Sequence, residues 1–282
     1  MGPLFGAVLA RAMADAPVVV EAGAGRGSLA AAVRAAGFGG RYVCVERSAA
    51  LRAAAAERVP DAEVMADLPE GPLEGVVLAN ELLDNIPFGV LERGSDGWLE
   101  VRVGPGPGEV LEPASAADAS LAERLAPDAP VGGRVPVQRA AADWLRSALA
   151  LLRRGRVVVI DYTDSTPSMA RRPWLEWART YRAHGRGGHP LEAPGTQDVT
   201  CEVAIDQLAA LVRPPDRDAT QAEWLRAAGL DDLVAPARAT WHERASLGDL
   251  DALKARSRVG EADALTDPSG LGAFRVLEWD VG

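Results

Sequence analysis

Three glycines at alternate positions form the stretch of this chain best suited to binding a ligand. Gly23, Gly25 and Gly27 follow an apolar run over residues 17–20, so a buried strand is predicted to break into a glycine turn. A helix is predicted to follow, with Ser28 as its N-cap. Glycines allow positive φ, and N–H groups at a helix start are free to donate. The spacing indicates a nucleotide-type binding loop, with a purely structural turn as the alternative.

Two acids stand where later strands are predicted to end. The run Arg41–Glu46 is apolar and β-branched, and it closes on Glu46 about 20 residues after the glycine turn. A carboxylate there would accept both hydroxyls of a ribose, whereas the alternative is a solvated acid beside Arg47. A shorter strand over residues 62–66 leads to Asp67, which would contact an adenine amino group. This placement predicts a ligand at the carboxyl ends of parallel strands.

A group of polar residues follows the next predicted strand, residues 73–79. Asn80, Glu81 and Asp84 bring one amide and two carboxyl groups to that strand end. A later core strand also ends with an acid, Asp161. Because the carboxyl ends of parallel strands share one edge of a sheet, we expect these groups to lie near the ligand.

The order of elements predicts a single α/β domain over residues 1–282, built on a doubly wound parallel sheet. A hairpin signal and a helix near residues 116–125 mark about 89–138 as an insertion. Residues from about 163 to 200 combine Trp, Arg, His, Gly and Pro with weak periodicity. Such a composition predicts a long loop or lid, carrying one helix over about 173–183.

Composition limits the partners of the chain. The 282 residues carry a formal net charge of -10, which disfavours nucleic acid, and 48% hydrophobic content is ordinary for a globular protein. No apolar run approaches the ~20 residues of a membrane span and no signal peptide is recognised, so we expect no membrane insertion and a cytoplasmic location. Histidines and cysteines are scattered, so no metal site is predicted. The oligomeric state is left open.

The glycine turn resembles motif I of the class I S-adenosylmethionine (SAM) methyltransferases, which has the pattern Glu-x-Gly-x-Gly-x-Gly. The resemblance implies that the fold is the Rossmann-like fold of that class and that SAM is the cofactor. The cofactor-binding residues implied are Glu21, Gly23, Gly25, Gly27, Glu46, Asp67 and Asn80.

A more specific resemblance extends from residue 4 to about residue 212. Residues 80–87, Asn-Glu-Leu-Leu-Asp-Asn-Ile-Pro, are similar to the Asn-Glu-x-x-Asp-x-x-Pro signature of the MidA family. Mitochondrial members of that family are SAM-dependent protein arginine methyltransferases that act in respiratory complex I assembly. Further family motifs, in the family's order, are similar to Leu4–Gly6, Ile160–Tyr162, Arg179–His184 and Gly195–Thr200. The resemblance implies a protein substrate with a reactive arginine, such as a respiratory-chain component.

The acids after the fourth strand are the candidate catalytic residues. A guanidinium is a planar fork of donors, and a pair of carboxylates can grip it and draw charge away from the attacking nitrogen. Glu81 and Asp84 are assigned this role, and Asn80 is assigned the orientation of the substrate through its carbonyl oxygen. The alternative for Asp84 is to cap the following helix.

The lid motifs supply the remaining candidates. Asp198 and Thr200 are predicted to shape the pocket through hydrogen bonds. His184 either accepts the departing proton or has a structural role, and Tyr181 either packs or contacts a substrate guanidinium through a cation–π interaction. Asp161 is either a pocket acid or a partner of backbone amides near the cofactor.

Two other functions stay open. One is a small-molecule N- or O-methyltransferase, and the other is a SAM-fold assembly factor without turnover. The chain departs from the MidA pattern in three places: family members usually carry a long segment ahead of the motif at Phe5–Gly6, a glycine usually follows Tyr162 where Thr163 stands, and a Gly-Thr pair is replaced by Glu176 and Trp177. These departures indicate either a shortened branch of the family or a start codon placed too late. A branch lacking the preceding segment would bind SAM without transferring its methyl group.

Overall fold

The computed structural model describes residues 2–106, 108–182 and 185–282, so His184 of the predicted lid lies outside the described residues. In chain order, the elements up to the middle of the chain are α1 (Pro3–Ala12), β1 (Val18–Ala22), α2 (Ser28–Ala35), β2 (Arg41–Val45), α3 (Ala49–Arg58), β3 (Glu63–Met65), β4 (Leu73–Asn80), β5 (Gly89–Arg93), β6 (Trp98–Val103), β7 (Glu109–Pro113), α4 (Ala116–Leu125) and β8 (Arg134–Val137). Those that follow are α5 (Arg139–Leu151), β9 (Leu152–Asp161), β10 (Thr163–Asp164), α6 (Thr166–Met169), α7 (Trp174–Trp177), β11 (Ala178–Arg182), β12 (Gly185–Arg186), β13 (Asp198–Cys201), β14 (Val203–Ala204), α8 (Ile205–Leu211), β15 (Arg217–Thr220), α9 (Gln221–Ala227), α10 (Leu230–Arg244), α11 (Leu250–Thr266) and β16 (Arg275–Val281).

The described chain divides into two compact units. The first comprises Met1–Asn80, Ala148–Ile160 and Pro215–Gly282, and the second comprises Glu81–Ser147 and Asp161–Pro214. Both the insertion predicted at about 89–138 and the lid predicted at about 163–200 belong to the second unit. No helix in the described ranges is long and apolar enough to cross a bilayer.

The first unit is built on a mixed sheet with the strand order β15-β16-β9-β4-β1-β2-β3. The pairs β1–β2, β2–β3, β1–β4 and β4–β9 are parallel, and β15 pairs antiparallel with β16. Val19 and Val20 of β1 and the run Val76–Ala79 of β4 are fully buried, as expected for strands covered on both faces. The α/β doubly wound fold predicted from the sequence is confirmed.

The order of the strands reverses between β1 and β4. From β1 the chain steps outward through β2 to β3, whereas β4 starts on the other side of β1 and β9 lies beyond it. In sheets of this kind ligands bind outside the carboxyl ends of the strands at such a switch point. Within the first unit, the residues that follow β1 and β2 therefore form the candidate site.

Helices α1 and α2 of the first unit both have glycine at the N-cap, Gly2 and Gly27. Glycine has no side chain with which to cap the free N–H groups of a first turn. For α1 the missing acceptor comes from α11, because Oε1 of Glu261 accepts the N–H groups of Leu4 and Phe5 at 2.9 and 3.1 Å. The start of α1 thus depends on a carboxylate from a distant part of the chain.

The second unit contains a sheet with the order β7-β6-β5-β8. The predicted hairpin is present, since β5 and β6 pair antiparallel and the N–H of Gly94 bonds to the carbonyl of Gly97 at 2.7 Å. Helix α4 packs on the sheet through Ala122, which joins a buried cluster with Trp98 and Val135. Strand β8 was not predicted; it is four residues long and contains a proline.

The helix predicted over about 173–183 is wrong. The helix α7 ends after one turn at Trp177, whose side chain is buried, and the chain continues as strand β11. Strand β11 pairs antiparallel with β13 over Ala178–Tyr181. Pairing with a distant strand overrides local helix preference here, which a periodicity argument cannot detect.

Candidate active site

The glycine turn after β1 is the centre of the site in the first unit. Gly23, Gly25 and Gly27 have φ values of 73°, 54° and 70°, a left-handed conformation that side chains other than glycine adopt at a cost. A Cβ atom placed on Gly25 would meet none of the described atoms within 4 Å. The turn thus leaves open space against its own backbone, as a ligand-binding loop requires.

The third glycine has a different environment. A Cβ atom on Gly27 would lie 3.2 Å from Cα of Ala55 and 3.3 Å from a methyl of Val59, at the side of α3. Gly27 itself is the N-cap of α2, so the cap predicted at Ser28 is wrong by one residue. The Ser28 hydroxyl instead accepts a hydrogen bond from the guanidinium of Arg58.

Glu46 directly follows β2 and holds the middle of the glycine turn. Its Oε2 accepts the N–H of Gly25 at 3.0 Å, and its Oε1 accepts the N–H of Ser48 at 2.8 Å. The side chain is half-buried, so the solvated alternative does not describe it. Each carboxylate oxygen has a second lone pair, which leaves acceptor capacity for the two hydroxyls of a ribose.

Glu21 faces the protein interior. Its carboxylate is 3% exposed and accepts the phenol hydroxyl of Tyr42 at 2.6 Å. Burial raises the pKa of Glu21 to about 7, while the bond from Tyr42 acts in the opposite direction. Asp67 lies exposed two residues beyond β3, and Asn80 is the last residue of β4, opposite Ile160 in the parallel pairing.

The second unit begins with a loop that carries two of the predicted catalytic acids. Glu81 is exposed and has φ of 50°, an uncommon conformation for a residue with a side chain. A short 3-10 helix over Leu83–Asn85 follows, and its N-cap is Leu82. Asp84 lies inside this helix and is 2% exposed, so it does not serve as the helix cap.

Asp84 is held by two donors. The hydroxyl of Tyr162 donates to one carboxylate oxygen, and the side-chain amide of Asn85 donates to the other at 2.7 Å. Burial raises the pKa of Asp84 to about 6, the bond from Tyr162 lowers it, and the negative charge of Glu81 raises it. The two acids assigned to grip a substrate thus have different surroundings: Glu81 is exposed, and Asp84 is enclosed.

Asp161 is fully buried and fixes the same loop through its backbone. Oδ2 accepts the N–H groups of Leu83 and Asp84 at 3.0 and 3.3 Å, and Oδ1 accepts the N–H of Tyr162 at 3.0 Å. Burial and the neighbouring charge of Asp84 raise the pKa of Asp161 well above its ordinary range. Asp161 therefore accepts hydrogen bonds from backbone amides. This was one of the two roles considered for it, the other being an acid of the pocket.

The lid motifs come together as one small sheet in the order β12-β11-β13. Tyr181 lies opposite Asp198, and Arg179 lies opposite buried Thr200. Tyr181 is half-buried and Asp198 is exposed. The described parts of the two lid motifs therefore lie on neighbouring antiparallel strands.

Tyr162 is a site residue to which the sequence assigned no role. Beyond its bond to Asp84, its ring lies 5.8 Å from the guanidinium of Arg179. Arg179 donates to Glu202 at 2.6 Å, which fixes the guanidinium over the ring. Burial and the Asp84 charge raise the Tyr162 pKa, and the Thr200 hydroxyl acts in the opposite direction. Its only sequence signal was its place in the Ile-Asp-Tyr motif.

Parallel strands whose order reverses between β1 and β4, a glycine turn after β1 and an acid after β2 are the features of a nucleotide-binding doubly wound α/β fold. Residues 7–220 match the model of a family described as "Putative S-adenosyl-L-methionine-dependent methyltransferase". The chain belongs to this family.

Two crystal structures from Burkholderia thailandensis are similar to the chain. An uncharacterized protein shares 28% sequence identity with a TM-score of 0.80, over 99% of this chain and 79% of its own. A member of the same superfamily bound to S-adenosyl-homocysteine shares 27% identity with a TM-score of 0.79, over 99% of this chain and 76% of its own. No protein of curated function matches the chain.

SAM is the cofactor of this chain. The residues of the first unit fit it, because the backbone of Gly25 borders open space and the carboxylate of Glu46 keeps acceptor capacity beside that space. Glu21 does not offer its carboxylate to a ligand in the same way, since the group is buried and bonded to the hydroxyl of Tyr42.

Proposed function

We propose that this protein transfers a methyl group from SAM to a nitrogen of an arginine side chain in a protein substrate. The observation that carries the proposal is the exposed carboxylate of Glu81, which directly follows the last residue of β4 in the chain. An exposed carboxylate accepts two parallel N–H bonds from a guanidinium, a geometry that also orients the acceptor plane.

The backbone of Glu81 supports a functional role for its side chain. A residue with a side chain in the left-handed region costs of order 1–3 kcal/mol and persists where the surrounding structure enforces it. Here the bonds from Asp161 to Leu83 and Asp84 fix the loop that follows Glu81. The strained residue is thus held in place by its neighbours rather than by its own preference.

Asp84 contributes without touching the acceptor. Its carboxyl group is enclosed by Tyr162 and Asn85, so a substrate meets Glu81 first. The negative charge of Glu81 raises the pKa of Asp84, and the charges of both raise the pKa of Asp161, so a nearby cation is favoured. This shared field suits a guanidinium better than a neutral hydroxyl acceptor.

The chemistry asked of the residues is mainly positioning. Bound SAM supplies a methyl group already activated by its sulfonium. The carboxylate of Glu81 would hold the acceptor and stabilise its positive charge while the methyl carbon exchanges its bond to the sulfonium sulfur for a bond to nitrogen; S-adenosyl-homocysteine is the leaving group, and one N–H proton goes to water. On this proposal Asn80 orients the acceptor, Asp67 contacts the adenine, and Tyr181, Asp198 and Thr200 shape the substrate side.

The MidA resemblance makes a respiratory-chain component the first protein substrate to test. Further substrates would be sought among cytoplasmic proteins, since we propose that location for the chain. A small-molecule N- or O-methyltransferase is the second candidate function, since the family assignment alone does not select the acceptor. A SAM-binding assembly factor without turnover is the third.

The test is incubation with methyl-labelled SAM and an extract of the source cells, followed by amino-acid analysis of the protein fraction. We expect labelled methylarginine, and we expect Glu81→Gln to lower it more than tenfold because a charge-assisted contact contributes about 1.5–3 kcal/mol. The matched control is Glu112→Gln, which removes an exposed carboxylate of β7 paired with Arg102 and should keep full labelling.

Each other result selects a different function. Label in a low-mass metabolite but not in protein supports the small-molecule enzyme. Calorimetric binding of S-adenosyl-homocysteine with no methylated product supports the assembly factor. Equal labelling by wild type and Glu81→Gln removes Glu81 from the mechanism.

A further inference from the structure

The strand pairing of the lid sheet places Tyr181 next to Asp198. The two residues lie directly opposite each other on β11 and β13, and facing residues of an antiparallel pair project from the same side of the sheet. By the same register Arg179 lies opposite Thr200, two residues along each strand, so these side chains share that face as well. One face of the lid sheet therefore carries an aromatic ring beside a carboxyl group.

This face is turned toward the loop that carries the predicted catalytic acids. The guanidinium of Arg179 lies 5.8 Å from the centre of the Tyr162 ring, and the Tyr162 hydroxyl donates to Asp84 in that loop. Tyr181 is two residues from Arg179, or about 7 Å along the strand. The Tyr181 ring is therefore within reach of residues that flank an arginine held at the loop.

Three arginines of the second unit are each held by an aromatic ring and a carboxylate together. The three groups are Arg93 with Trp98 and Glu123, Arg134 with Trp174 and Glu109, and Arg179 with Tyr162 and Glu202. The guanidinium carbon lies 5.4, 5.1 and 5.8 Å from the respective ring centre. The ring attracts the cation to its face, and the carboxylate accepts charge-assisted N–H bonds. This unit thus binds guanidinium groups repeatedly with one arrangement of side chains.

Tyr181 and Asp198 are the same two kinds of group, without an arginine of the described chain between them. Asp198 is exposed, and within the described ranges its carboxylate forms no hydrogen bond or ion pair. Arg186 faces Tyr181 from β12, but its guanidinium donates to the carbonyl of Leu175 at 2.8 Å instead of lying over the ring. A cation supplied by another molecule would complete the arrangement.

We propose that Tyr181 and Asp198 form a second cation-binding subsite, which receives a basic side chain of the substrate other than the arginine that is methylated. The inference rests on the proposed function and names its substrate class, a protein segment with two basic residues within a few positions of each other. For Tyr181 this role differs from contact with the reacting guanidinium, which was the alternative considered from the sequence.

An arginine suits the subsite better than a lysine does. Its planar guanidinium can stack on the Tyr181 ring and still present two parallel N–H groups to the Asp198 carboxylate. A lysine ammonium is a compact, strongly hydrated charge that lacks this fork. Since Glu81 and Asp198 are both exposed carboxylates, each can bind one cation of the same segment. We therefore expect the second position to prefer arginine over lysine, and lysine over a neutral residue.

The test uses short synthetic peptides of alanine, glycine and serine with one central arginine, and a series with a second arginine at each nearby position on either side. Methyl transfer from labelled SAM gives kcat and KM for each peptide. For the best spacing we expect the second arginine to lower KM about three- to tenfold with little change in kcat. The reason is that the added contact binds the substrate without touching the reacting nitrogen.

Variants of the two residues test whether the subsite causes this preference. Asp198→Asn and Tyr181→Leu should each raise the KM of the two-arginine peptide much more than that of the one-arginine peptide. Tyr181→Phe keeps the ring and should keep the preference, which separates lost cation binding from lost folding. The matched control is Asp128→Asn, which removes an exposed carboxylate of the same unit outside the lid sheet and should preserve the preference.

A second measurement needs no turnover. Fluorescence anisotropy of the labelled two-arginine peptide, with S-adenosyl-homocysteine present, should show binding that weakens about three- to tenfold in Asp198→Asn. Added salt should weaken the wild-type binding too, because the contact is between exposed charges. If no peptide is methylated and binding still depends on Asp198, the arginine-transfer proposal fails and the subsite is supported.

Other results would overturn the subsite. Methylation of every peptide with equal KM excludes it while leaving the arginine-transfer proposal intact. A preference for the second arginine that survives in both Asp198→Asn and Tyr181→Leu assigns that preference to other residues. A two-arginine peptide that wild type does not bind, or that Asp198→Asn binds equally well, excludes the subsite as well.

Discussion

Two buried carboxyl groups, one in each unit, receive the hydroxyl of a tyrosine and yet have different tasks. Glu21 is bonded to Tyr42, and Asp84 is bonded to Tyr162. Burial raises both pKa values, to about 7 and about 6. Glu21 has a phenol beside it, whereas Asp84 lies among the further carboxyl groups of Asp161 and Glu81. The same local bond thus joins two neighbouring strands in one region and belongs to a cluster of acids in the other.

The largest effect should come from Asp161, which distinguishes the second region most clearly. Asp161→Ala leaves the buried N–H groups of Leu83, Asp84 and Tyr162 without their acceptor, so the free energy of unfolding should fall by about 3–5 kcal/mol. Urea unfolding measures this loss. Asp161→Asn keeps one acceptor oxygen and should lose less; equal losses in the two variants would show that the acceptor is not what matters.

The next effect is the pH dependence that Glu21 imposes on stability. Its pKa is raised from 4.5 unfolded to about 7 folded, so its contribution is fully present below pH 4.5 and is lost as pH rises through 7. The loss should approach about 3 kcal/mol at pH 8. Glu21→Gln should abolish this part of the slope, measured by urea unfolding at pH 5 and pH 8. Parallel slopes for wild type and variant would mean that Glu21 does not titrate in this range.

A smaller effect should follow from removing one hydroxyl from the second region. Tyr162→Phe deletes the bond that lowers the Asp84 pKa, so that pKa should rise above about 6, and the free energy of unfolding should fall by about 1–2 kcal/mol at pH 7. A carbon-13 NMR titration of the carboxyl groups follows the pKa, and urea follows the stability. An unchanged Asp84 titration would show that burial and like charge alone set its pKa.

The smallest effect should come from an exposed ion pair on the same strand as Tyr42. Arg41 and Glu63 form a bidentate pair, but their side chains are 42% and 50% exposed. Arg41→Gln should change the free energy of unfolding by less than about 0.5 kcal/mol, and added salt should reduce even that. If Arg41→Gln lowered the free energy of unfolding as much as Tyr162→Phe does, burial would not be what gives the bonds of the two buried carboxyl groups their larger effect on stability.

Much of the first unit was visible in the sequence because its signals are local. Strand β1, the glycine turn and α2 follow from an apolar run, three glycines and a helical stretch. Helix α4 of the second unit has its predicted bounds because Ser115 caps it, accepting the N–H of Asp118 at 3.1 Å. By contrast α10 was missed, since Pro236 stands inside it and obscures the periodicity.

The site was less visible where it depends on long-range contacts. The sequence placed Glu81, Asp84 and Asp161 at strand ends. Tyr162, however, is 78 residues from Asp84, and no local sequence signal predicts the hydrogen bond between them. Likewise the burial of Asp84, which separates its role from that of Glu81, depends on how the second unit packs. Residue type and spacing predicted which groups take part, and packing decides which of them a substrate can reach.

The glycine triplet carries two separate constraints on evolution. Gly25 is required by the room that a ligand needs, whereas Gly27 is required by the close approach of α3. A mutation at either position removes the same recognisable pattern, but at Gly25 the only structural cost is its left-handed backbone, whereas at Gly27 a side chain should also disturb the spacing to α3 before any ligand is involved. Chains that share this pattern therefore inherit a packing distance along with a binding loop.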